Sequence, residues 1–134
     1  KQLERYPSLL ERRKEIISKY NGMCDSLGIT YLCHYGEKHS SSGHLYITRI
    51  PGITEETRNN IITEMAERGI ACNVHYKPLP MMTAYKNLGY DIADFPNAYN
   101  FFKNEITLPL HTKLSDDDVK TVCENFADVV KKYI

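Results

Sequence analysis

The sequence has no C-x-x-C pair, no surplus of either charge and no clustered glycines, and each absence closes off a class of function. The four cysteines, Cys24, Cys33, Cys72 and Cys123, do not have the spacings of structural zinc sites. Nor is there a run of about 20 apolar residues, so no membrane-spanning helix is expected. Residues 1–13 are charged and lack the apolar segment of a secretory leader. Lys plus Arg and Asp plus Glu both total 17, a formal net charge of zero. That balance gives no long-range pull toward nucleic acid or anionic lipid, and neither is an expected partner. The seven glycines form no G-x-G-x-x-G or Walker loop. No nucleophile elbow supports a small hydrolase.

What remains is an ordinary soluble composition, 42% hydrophobic and 25% charged, in 134 residues that suit one domain. Cys72 and Cys123 fall within apolar patterns, where small buried thiols are common. Reading all four cysteines as reduced predicts a cytoplasmic setting. The chain opens on Lys1 rather than Met and enters a helical pattern almost at once, which predicts a fragment of a longer protein.

Ser8-Leu-Leu-Glu11 reads as a capping box with Pro7 just outside it, and Asn21-Gly22 as the left-handed stop of the first helix. Leu9, Leu10, Ile16, Ile17 and Tyr20 mark its apolar side, and Leu3 and Tyr6 extend the pattern backwards across Pro7, where a helix continued from upstream would kink. Residues 29–35 and 44–50 read as an antiparallel strand pair around the polar loop 36–43. Thr54 caps a second helix, with Ile61, Ile62, Met65 and Ala66 as its buried side and Gly69 as its end. Residues 71–76 read as a third strand, with Cys72, Val74 and Tyr76 on one face and Asn73 and His75 on the other. Lys77-Pro-Leu-Pro80 breaks regular structure before short helices around 81–88 and after Asp94-Phe-Pro96. Residues 105–110 read as a fourth strand. Ser115 caps a last helix whose stripe is Val119, Val122, Cys123, Phe126, Val129, Val130 and Tyr133. The sum predicts an α/β (α+β) domain, a small mostly antiparallel sheet with helices packed on it.

The segment with most chemistry is Asn73-Val-His-Tyr-Lys-Pro-Leu-Pro80, because a strand that breaks at two prolines presents polar groups at its tip. On the residues alone, His75 is equally a binding group or a satisfied structural histidine, Tyr76 reads as half-buried packing and Lys77 as solvated. Cys33, His34, His39 and His44 match no metal site, and no metal is expected.

These motifs, taken in order, resemble the DegT/DnrJ/StrS family of pyridoxal-phosphate-dependent nucleotide-sugar aminotransferases. The resemblance rests on Gly69 through Leu79, Tyr85, Leu88-Gly-Tyr90, Asp94-Phe-Pro96, Ile106-Thr-Leu-Pro-Leu110 and Leu114 through Val119. Gln2-Leu3 with Glu11-Arg-Arg-Lys14, and His44 through Arg49, extend it upstream. It implies that residues 1–134 are the C-terminal small domain of such an enzyme, and that the large domain, with its Schiff-base lysine and pyridoxal phosphate, lies outside this chain. On that footing the fragment carries no catalytic residue, binds no cofactor by itself and is inactive alone. The parent would be a homodimer that moves an amino group, usually from glutamate, onto a nucleotide-linked keto-sugar for surface-polysaccharide or amino-sugar synthesis. The resemblance implies substrate contacts at His75, Tyr76 and Lys77, with Tyr85 and His44 as further candidates. Pro80 stands where many relatives carry histidine, and Met81 and Met82 suggest an apolar lining. A free-standing ligand- or RNA-binding module is the alternative reading, disfavoured for RNA by the neutral charge.

Overall fold

Helix α1 (Gln2–Leu27) runs back across Pro7, along the pattern of Leu3 and Tyr6, and extends past the stop expected at Gly22. Pro7 lies inside it, and the Ser8 hydroxyl donates to the Arg5 carbonyl (2.8 Å) instead of capping a helix start. Proline removes one backbone donor there, in a turn exposed enough for water to satisfy the freed carbonyl. Gly22 is a helical residue, and the stop is Gly28, at φ 67°. The Ile29 N–H donates to the Cys24 carbonyl (3.0 Å) and the Gly28 N–H to that of Asp25 (3.3 Å), a Schellman closure. Ile29 is itself buried, so core packing selects this glycine over the earlier one.

Past this turn come β1 (Thr30–Tyr31), the hairpin β2 (Tyr35–Gly36) and β3 (His39–Ser40), and β4 (Tyr46–Arg49). The strand expected over 29–35 is therefore split, and the loop after it carries a hairpin of its own. The expected antiparallel pairing holds, with Thr30 opposite Arg49. Helix α2 (Glu55–Glu67) starts at Thr54, whose hydroxyl accepts from the Thr57 amide, and Gly69 closes it at φ 77°. Its buried side is Arg58, Ile61 and Met65, while Ala66 is exposed. After α3 (Thr83–Lys86) and α4 (Pro96–Phe102) come β5 (Glu105–Leu108) and α5 (Asp116–Val130), the last opened by a capping box between Ser115 and Asp118.

The computed structural model, which describes residues 1–134, places the sheet in the order β1-β4-β5, all antiparallel. Alternation gives the sheet two unlike faces. Tyr46, Ile106 and Leu108 pack against α1, α2 and α5, meeting Ile16, Ile17, Tyr20, Ile61, Met65, Phe126 and Val130 in one apolar core. Ile47, Arg49, Glu105 and Thr107 alternate with them and face the other way.

The third strand does not form. Asn73 makes a single bridge to Thr107, its N–H donating to the Thr107 carbonyl (3.1 Å) and its carbonyl accepting in return (2.8 Å). The next donors go to side chains: Val74 N–H to Asn73 Oδ1 (2.8 Å) and His75 N–H to Glu105 Oε2 (2.9 Å). With those amides spent, the ladder cannot continue. Tyr76 is not half-buried packing but 71% exposed. Cys72 and Cys123 are half-buried, and Cys24 is the fully buried cysteine.

Candidate functional site

Glu105 organises the polar face of the sheet. It is fully buried at the start of β5, beside Arg49 of β4 and the chain of residues 73–77. Its Oε1 accepts from the Thr107 hydroxyl (2.5 Å) and its Oε2 from the His75 amide. Burial pushes its carboxyl above the usual 4.5, and those two hydrogen bonds with the electrostatic pull of the His75 ring and Arg58 offset that only in part. Thr107 Oγ1 in turn lies 2.9 Å from His75 Nδ1. His75 is thus gripped through its backbone and its ring by two residues of one strand.

The wall continues through Arg49, whose Nε donates to Asn104 Oδ1 (3.1 Å) and whose Nη2 donates to the Asn100 carbonyl (3.1 Å). Its guanidinium lies 4.9 Å from the Phe101 ring centre. Arg58 is almost fully buried, stacks on Phe102 (4.7 Å) and donates to the Phe102 carbonyl (3.2 Å).

Of the residues singled out in the sequence, His75, Tyr76 and Lys77 stand together. The Tyr76 ring meets the His75 ring edge-on at 4.6 Å and 83°. Lys77 is exposed and forms no ion pair within the chain. Tyr85 lines a neighbouring apolar cavity of about 350 Å³ with Pro78, Leu79, Pro80, Tyr90 and Phe95. His44 stands apart: it is exposed and precedes the Tyr46–Leu108 row, at the other end of the sheet from the Glu105 row that His75 flanks. Glu105, Thr107 and Arg49 were not singled out as site residues. A usable signal was there, since Glu105 and Thr107 interrupt the apolar residues of a strand with polar side chains on one face.

His34 is buried, shares a hydrogen bond with Ser41 Oγ (3.0 Å) and stacks on Tyr46 at 5.8 Å, whereas Cys33 and His39 are exposed. No group of three or more His, Cys, Asp or Glu could hold a metal ion. No helix is long and apolar enough to cross a membrane. A Schiff-base lysine needs shelter from water, yet every lysine is exposed except the half-buried Lys103. The residues present therefore do not fit pyridoxal phosphate by themselves.

The sequence profile of the DegT/DnrJ/EryC1/StrS aminotransferase family matches residues 1–127. The Bacillus subtilis spore coat polysaccharide biosynthesis protein SpsC is 36% identical over 97% of this chain and 34% of its own length. A sugar-aminotransferase candidate of Streptococcus pneumoniae, solved in its pyridoxal-phosphate form, superposes with a TM-score of 0.95 at 56% identity, over 99% of this chain and 34% of that one. The Helicobacter pylori aminotransferase PseC, which takes part in pseudoaminic acid biosynthesis, gives 0.88 at 28% identity over 98% of this chain and 35% of its own. The chain spans about a third of the length of the curated relatives it matches. With 127 of its residues matched by one profile, this chain belongs to the DegT/DnrJ/EryC1/StrS aminotransferase family.

Proposed function

We propose that residues 1–134 are the C-terminal small domain of a pyridoxal-phosphate-dependent nucleotide-sugar aminotransferase. The reaction takes the amino group of glutamate, which leaves as 2-oxoglutarate, and places it on the keto carbon of a nucleotide-linked sugar. When bound by the large domain, pyridoxal phosphate supplies the electron sink for this exchange. The small domain closes one side of the cleft with His75, Tyr76 and Lys77. His75 contacts the sugar nucleotide, Tyr76 shapes the wall and Lys77 faces the diphosphate. Tyr85 extends that wall along the apolar cavity, and His44 is the outlying candidate. The parent works as a homodimer in the cytoplasm.

The observation that carries this reading is the grip on His75. Two hydrogen bonds from β5 hold a half-buried ring at the end of an otherwise irregular segment, beside an exposed tyrosine and lysine. Such fixing is what a binding group needs, since a site held in place loses less freedom on binding.

The test is steady-state kinetics of the full-length enzyme with glutamate and a panel of UDP- and dTDP-linked keto-sugars. Amino-sugar formation with at least one of them is expected, and His75→Ala raises the KM for that sugar roughly tenfold, the worth of one hydrogen bond. An enzyme that aminates none of the panel, or a variant with unaltered KM, overturns the reading.

A further inference from the structure

We propose that Glu105 and Thr107 act as positioning residues that fix the neutral tautomer of His75, so that its free ring nitrogen accepts a hydrogen bond from a sugar or ribose hydroxyl. The inference rests on the reading that His75 meets the substrate, and it adds which way the hydrogen bond runs.

Three observations carry it. Both oxygens of Glu105 are occupied as acceptors, one by the Thr107 hydroxyl and one by the His75 amide. While Glu105 is ionised its carboxylate has no hydrogen to return, so the single hydrogen of Thr107 is committed to Glu105. The Thr107 oxygen then has only lone pairs left for His75 Nδ1, 2.9 Å away, and Nδ1 must carry the hydrogen. In a neutral ring this leaves Nε2 bare. That atom makes no hydrogen bond within the chain and is not buried, while the Tyr76 ring packs edge-on against the imidazole.

A bare ring nitrogen is an acceptor, so it pairs with a hydroxyl or N–H and is a poor partner for phosphate or carbonyl oxygen. A nucleotide sugar offers hydroxyls on both its sugar and its ribose. A site built to hold a hydroxyl discriminates against the analogue that lacks it, because its acceptor is then left unpaired.

The test uses the full-length enzyme labelled with ¹⁵N-histidine, with His75→Gln identifying the resonance by its loss. At a pH where the ring is neutral and Glu105 is ionised, Nδ1 is expected to give the protonated pattern and Nε2 the unprotonated one. Glu105→Gln should reverse this. Its amide oxygen keeps the His75 N–H, its NH₂ donates to Thr107, and the threonine hydrogen passes to His75 Nδ1. Thr107→Val should abolish the preference and raise the KM for the sugar nucleotide roughly tenfold, whereas Thr107→Ser should keep the original pattern. A protonated Nε2 in the wild-type enzyme, or the same pattern in both Glu105→Gln and Thr107→Val, overturns the relay. The correct tautomer with an Nε2 resonance that does not move on saturation with sugar nucleotide leaves the relay standing but overturns His75 as the substrate contact.

Discussion

Two buried charges at the edge of the polar face set the behaviour of single residues. Arg58 is 2% exposed, and its guanidinium is satisfied by the Phe102 carbonyl, the Phe102 ring and Glu55 at 3.5 Å, though Nε has no partner. Truncation to Ala strips a long packed stem and leaves that carbonyl unpaired, so Arg58→Ala should cost about 3 kcal/mol in urea unfolding. Glu105 gives a pH signature. Its folded pKa is raised by burial, so the folded chain holds its proton more tightly than the unfolded chain does. Its contribution to stability is therefore greatest near or below the usual 4.5 and declines as pH rises through the raised folded value. Glu105→Gln should flatten the stability profile across that window, as urea midpoints at stepped pH would show. Of the two, only Glu105 leaves a mark in the sequence, as a polar residue at the head of an apolar strand. Arg58 reads as one more polar residue in the first turns of α2, and its burial depends on Phe102, 44 positions away.

At the scale of elements, local chemistry decides most boundaries. Thr54, Gly69 and Ser115 were legible as caps because each acts on amides or carbonyls within a few residues. The end of α1 was not, because Gly22 and Gly28 offer the same backbone freedom and only the buried Ile29 chooses between them. Opposite outcomes follow. Both sites have open space for a methyl group. Gly28→Ala should cost about 1 kcal/mol through its left-handed backbone, while Gly22→Ala should stabilise by about 0.5–1 kcal/mol, both read from thermal or urea midpoints. Ser115→Ala should cost about 1 kcal/mol by removing the cap of α5. Hydrogen bonds from the Ser115 side chain and amide hold the Asp118 carboxyl below its usual 3.8. The share of the cap that rests on the Asp118 carboxylate is thus fully present above that value and is lost as pH falls through the lower folded one. The gap between wild type and Ser115→Ala should therefore narrow in acid, while the bond from the Asp118 amide to Ser115 Oγ keeps it from closing. The strand expected over 71–76 failed because its amides are drawn off by Asn73 and Glu105. A period-two pattern shows which side chains share a face, not which groups claim the backbone.

For the whole molecule, the sheet keeps α1, α2 and α5 on one side and its polar row on the other. The apolar alternation of β4, β5 and α5 made the helical side readable, whereas the Glu105–Thr107–His75 arrangement joins residues 30 positions apart and needed coordinates. With no buried lysine, residues 1–134 mixed with pyridoxal phosphate and borohydride should trap no stoichiometric adduct at a defined lysine. The full-length enzyme should trap one, at a position that peptide mass mapping puts outside these residues. The alternation along β4 and β5 also bears on how such a domain diversifies. Neighbouring residues answer to separate constraints, one to the apolar core and the next to the hydrogen bonds that hold His75. A substitution on one side of these strands can therefore alter how His75 is held while leaving the dry side unaltered.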